Sequence, residues 1–161
     1  HYKMPVSLES ADRVRQKTRG WNRNAGVNGA LKAFFHFHSA KGNADLQYVS
    51  LDDADLRGTD GVVVADAACV LYFAYLRKRG TATDSYFKIF DDATDDATAG
   101  SERVTVPVLE ANEDHIFYAP QGIDMATGIV ATSHTTSNGT TDSTAGDSGD
   151  GFIIIGASGA D

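Results

Sequence analysis

Cysteine is nearly missing from this 161-residue chain: Cys69 stands alone, which excludes an internal disulfide and any multi-cysteine metal centre. Its place in the apolar run 67–74 marks it as a small buried hydrophobe. Long hydrophobic runs are also missing. The most apolar stretches, residues 61–65 and 67–76, fall well short of the ~20 residues a membrane helix needs. No charged-then-apolar leader ending in small residues is legible. Lysine and arginine are absent from residues 133–150. Catalytic signatures are missing too: there is no Gly-x-Ser-x-Gly elbow, no Lys-Ser/Thr after a glycine-rich phosphate loop, and no EF-hand spacing. No cofactor is implied.

A hydrophobic content of 42% is enough for one domain with a real core, or for a smaller domain with extensions. The charge is split by position. Residues 1–44 carry eight bases (Lys3, Arg13, Arg15, Lys17, Arg19, Arg23, Lys32, Lys41) against two acids, Glu9 and Asp12. The remainder carries six bases against twenty acids, for a net charge of −8 over the chain. Such an acidic body argues against wrapping nucleic acid, because phosphate binding needs concentrated Lys and Arg. The bases of the leader are interleaved with Gly and Asn. That pattern favours docking on an acidic protein neighbour over a polyanion.

Residues 1–30 read as an extended or partly helical basic arm. Ser10 is placed to cap a short helix over residues 11–18, with Asp12 at the positive end of its dipole. Only Val14 offers that helix an apolar face. Trp21, set among turn-forming residues, is the natural anchor of the arm. The partner-binding residues expected here are Arg13, Arg15, Lys17, Arg19, Trp21 and Arg23.

From residue 31 to 161 the pattern is that of strands. Residues 33–38 alternate Phe35 and Phe37 with His36 and His38, as a half-buried strand does. Further strands are expected at 46–51, 61–65, 68–79, 86–90, 103–109, 115–119, 128–132 and 151–157. In the third of these, strict alternation puts Val70, Tyr72, Ala74 and Leu76 on one face and Leu71, Phe73 and Tyr75 on the other. Pro107 marks an edge or bend, and Pro120-Gln121-Gly122 a turn between two strands. Roughly eight or nine short strands at regular spacing indicate an all-β protein, a β-sandwich or jelly-roll-like body with an extended N-terminal arm. Residues 133–150, almost wholly Ser, Thr, Gly, Asp, Asn and Ala, read as a long exposed loop.

Three clusters invite a metal. His36-x-His38 has a spacing found in real sites but lacks an adjoining carboxylate. Asp91, Asp92, Asp95 and Asp96 suit a hard cation, as do Asp142, Asp147 and Asp150, yet nothing fixes a coordination sphere and a solvated acidic turn is the simpler reading. Gly146-Asp147-Ser148-Gly149 is similar to the nucleophile segment of chymotrypsin-like proteases, without the histidine segment that such an enzyme needs.

Residues 85–157 resemble small structural proteins of tailed bacteriophage virions. The shared features are an aromatic strand leading into an acidic turn (Tyr86-Phe87-Lys88-Ile89-Phe90-Asp91-Asp92-Ala93-Thr94), a β-branched strand from Val104 to Leu109, the Pro120-Gln121-Gly122-Ile123 turn, the segment 126–132 and a final hydrophobic strand. The resemblance covers under half the chain. It implies a non-enzymatic head decoration or cement protein, a homo-oligomer in the virion after assembly in the host cytoplasm. Its partner would be the major capsid protein or another virion protein. A tail or neck accessory protein, and a carbohydrate-binding sandwich using Tyr48, Tyr118 and Trp21, are the alternatives.

Overall fold

Runs of β-branched and aromatic residues become strands wherever turn formers bound them. The computed structural model describes residues 9–21, 25–40, 46–56, 61–78, 85–94, 102–108, 114–135 and 149–157. Strands β1 (Leu46–Leu51), β2 (Val62–Ala65), β3 (Cys69–Lys78), β4 (Ser85–Phe90), β5 (Glu102–Val108), β6 (Asp114–Met125), β7 (Ile129–His134) and β8 (Gly149–Ala157) form two sheets. Sheet A has the order β1-β8-β3-β6 and sheet B the order β2-β7-β4-β5. All pairings are antiparallel. The chain rolls up as a folded ribbon, with β1 against β8, β2 against β7, β3 against β6 and β4 against β5. Every link except β4–β5 therefore passes from one sheet to the other. This is an eight-stranded jelly roll, so the all-β sandwich expected from the strand count is what the chain builds.

The inner faces meet in a core of Leu71, Ala74, Leu76, Phe87, Ile89, Ile129, Ile153 and Ile155, with Cys69 and Met125 among them. Burial, followed by the charge of Asp91, pushes the Cys69 thiol up to about 12, so it stays protonated and serves as packing. β3 does not keep strict alternation. Leu71 pairs with Ile155 and Phe73 with Ile154, which leaves Tyr72 as an extra residue. Tyr72 and Phe73 thus lie on the same side, and the inward set changes from Cys69 and Leu71 to Ala74 and Leu76.

The expected turn at Pro120-Gln121-Gly122 lies within β6. Across from β3, Tyr118 matches Phe73 and Ile123 matches Leu71, so the residues between them bulge out of one continuous strand. Gly122 sits at φ +81°, where a Cβ would run into Val70 and Tyr72. The expected loop over 133–150 is shorter at both ends. Ser133 and His134 are buried in β7, while Gly149 and Asp150 open β8. Ser148 and most of that loop lie outside the described residues.

The largest departure concerns residues 25–40. They form helix α2 (Ala25–Ala40), not the strand expected at 33–38. Leu31, Phe34 and Phe35 recur at helical spacing, and all three are buried. Helix α1 (Ala11–Lys17) precedes it, capped by Ser10, whose Oγ accepts from the Arg13 N–H at 3.4 Å. A 3₁₀ turn, Thr18–Trp21, continues it. The described part of the arm is therefore helical: the short Ser10-capped helix expected over 11–18 forms as α1, and what the expectation of an otherwise extended arm missed is α2 and the packing of both on sheet A. Val14, Leu31, Phe34 and Phe35 close over Val70, Tyr72, Phe73, Tyr75, Phe152 and Ile154 on the outer face of sheet A. The Phe34 ring lies 5.9 Å from Tyr72, 6.1 Å from Phe73 and 5.9 Å from Tyr118. Such aromatic pairs add about 0.5–1.5 kcal/mol each beyond burial.

Candidate interaction surface

Packing on sheet A decides which side of the helical layer faces water. In α1, Val14 is buried while Arg13, Arg15, Gln16 and Lys17 are exposed, and Arg19 follows them in the 3₁₀ turn. In α2 the residues opposite the Leu31–Phe34–Phe35 stripe, Lys32, Ala33 and His36, are exposed. Five bases, Arg13, Arg15, Lys17, Arg19 and Lys32, therefore decorate one rigid layer. Of the six residues expected to bind a partner, Arg13, Arg15, Lys17 and Arg19 are present there as exposed side chains. Trp21 ends the 3₁₀ turn, and its side chain and Arg23 lie outside the described residues. Lys32 is not among those six residues. The 3–4 spacing of Leu31, Phe34 and Phe35 was the available signal, because it turns Lys32 outward.

Glu9 is fixed beneath these bases. It exchanges backbone hydrogen bonds with Leu46 at the edge of sheet A. Lys17 Nζ donates to both of its carboxylate oxygens, at 2.7 and 2.6 Å, and Arg13 Nε lies 3.8 Å away. The Glu9 side chain is only 17% exposed, against 42% for Lys17 and 72% for Arg13. Bases that open to water contribute little stability through such pairs, less than about 1 kcal/mol. What the arrangement does is seat a carboxylate on the basic surface.

The other motifs resolve differently. Residues 36 and 38 lie in α2, so the shared strand face expected for His36 and His38 does not form; the His38 side chain lies outside the described residues. Among the described residues no group of three or more His, Cys, Asp or Glu is placed to hold a metal ion. Asp91 is a clamp. Its carboxylate accepts from the backbone N–H of Ala126 at 2.9 Å, Thr127 at 2.8 Å and Gly128 at 3.4 Å, on the link from β6 to β7. Burial opposes the charge on Asp91, but the amide donors of Thr127, Ala126 and Gly128 outweigh it and hold the carboxyl below the usual aspartate range. Asp92 accepts from the backbone and hydroxyl of Thr94, and these bonds likewise lower its pKa. Asp95 and Asp96 lie outside the described residues.

Among the described residues no helix is long and apolar enough to cross a membrane. The chain matches no protein-family model, no curated protein and no solved structure.

Proposed function

We propose that this protein is a non-enzymatic structural component of a virion, a capsid decoration or cement protein that attaches through its basic helical layer and associates with further copies of itself. The proposed partner is the major capsid protein or another virion protein, and the proposed location is the virion, assembled in the host cytoplasm. The observation that carries the reading is the display of five exposed bases on the helical layer of an otherwise acidic chain. The jelly roll supports it as fold-level analogy, being an architecture shared by viral capsid domains and lectins. Many copies on a lattice turn weak surface contacts into firm attachment through avidity. The acidic body keeps decorated particles apart by repulsion.

A sugar-binding sandwich is less well supported, because two of the three aromatics of its platform are engaged within the chain. Tyr48 stacks on Phe152 at 5.1 Å, and Tyr118 packs against Phe34 and Phe73. The test is co-sedimentation of the purified chain with virus shells, wild type against Arg15→Glu/Arg19→Glu, with copies per particle counted by electron microscopy. Binding in many copies that the double variant loses is the expected result. A few copies in a ring would move the protein to the tail or neck, and no association with any particle would overturn the reading.

A further inference from the structure

We propose that the outer face of α1, the 3₁₀ turn and α2 is a docking surface for a compact carboxylate-rich protein patch, and that Glu9 is its built-in counter-ion, occupying Lys17 and Arg13 until the partner's acids displace it. The inference rests on the attachment reading above and deepens it by naming the partner chemistry and the residue that tunes affinity. Three observations carry it. Exposed Arg13, Arg15, Lys17, Arg19 and Lys32 share one layer that the aromatic cluster beneath holds in place, so binding orders no new backbone. The carboxylate of Glu9 already sits on Lys17 through two short hydrogen bonds, a direct sample of the ligand that this face accepts. Finally, Glu9 is pinned through its main chain to Leu46, so it stays close by when its side chain is displaced.

A compact acidic patch suits this face better than a long phosphodiester. The chain carries −8 overall, and a long polyanion would run past the acidic body as well as the helices. A compact carboxylate patch meets the helices alone.

The experiment measures binding of a fluorescent poly-L-glutamate peptide to the full chain by anisotropy, at low and high salt, beside a single-stranded oligonucleotide of similar charge. Wild type is expected to bind the peptide with an affinity that falls as salt rises, and to bind the oligonucleotide more weakly. Arg15→Glu/Arg19→Glu should weaken peptide binding at least about tenfold, and Glu9→Gln should tighten it about threefold to tenfold by removing the internal competitor. Thermal midpoints within a few degrees of wild type would show that both variants are folded. Preference for the oligonucleotide, indifference to the double charge reversal, or weaker binding by Glu9→Gln would each overturn the proposal. Peptide binding as expected without binding to shells would keep the docking surface and remove the virion reading. Shell binding unaffected by the double variant would do the reverse.

Discussion

On sheet A the outward positions are Val70, Tyr72, Phe73, Tyr75, Phe152 and Ile154, and two helices bring Val14, Leu31, Phe34 and Phe35 down on them. On sheet B the outward positions are of another kind. Lys88 stands opposite Thr132 and Thr105, and Tyr86 opposite His134, while Phe87, Ile89 and Ala131 face the core. Lys88, Thr132 and His134 are nevertheless fully buried. Lys88 Nζ reaches Glu102 Oε1 at 3.3 Å, in a pair exposed only at its acid end. One face is thus closed by apolar contact, where any lost atom leaves a void. The other closes over Phe90 and Val130 and also over an ion pair, where a lost partner leaves a poorly compensated charge. Buried area alone does not distinguish them; substitution does.

The largest effect should come from the helical layer. Phe34→Ala is expected to cost about 4 kcal/mol in urea unfolding, as for a large aromatic removed from a core. A cost below about 1 kcal/mol would mean that the layer is an appendage and not part of the core. On the other sheet, Lys88→Met should cost about 3 kcal/mol, because Glu102 is left half-desolvated, and adding Glu102→Leu should recover most of it. No second substitution of that kind should rescue Phe34→Ala.

Asp91→Ala should cost about 2 kcal/mol through three backbone donors left without their charged acceptor. Because the folded carboxyl titrates below its unfolded value of about 3.9, this contribution is complete above that value and is lost as pH falls through the lower folded one. Acid titration of wild type and variant, followed by fluorescence, should therefore converge at low pH. Glu9→Gln is the smallest effect, below about 1 kcal/mol in stability, since the bases it touches remain open to solvent.

Much of the body was legible because Val104 and Val106 announce a strand by alternation and Phe152–Ile155 by a short apolar run, and Ser10 announced the start of α1. Misreadings arose where two periods fit the same residues. Phe35-His36-Phe37-His38 alternates as a strand does, yet Leu31, Phe34 and Phe35 also satisfy a helix, and the aromatic face of sheet A selected the second. The bulge at Tyr72 changes which side chains of β3 face inward, and no local residue type signals it. Pro120-Gln121-Gly122 has the chemistry of a turn, and it does bend the chain, but without reversing it. Asp91 reads as one of several acids, because its three donors lie far along the chain. The basic residues themselves were legible, whereas the rigid layer carrying them followed from α2.

That clamp also bears on the order of events in folding. Asp91 meets amides that lie 35 to 37 positions further on, so closing the contact carries the loop entropy of all the chain between, which favours its formation late in folding. A contact formed after the rate-limiting barrier acts on the lifetime of the native state and leaves the speed of its formation almost untouched. Stopped-flow kinetics of Asp91→Ala should then show faster unfolding beside a nearly unchanged refolding arm. This single carboxylate would govern how long the rolled ribbon stays closed.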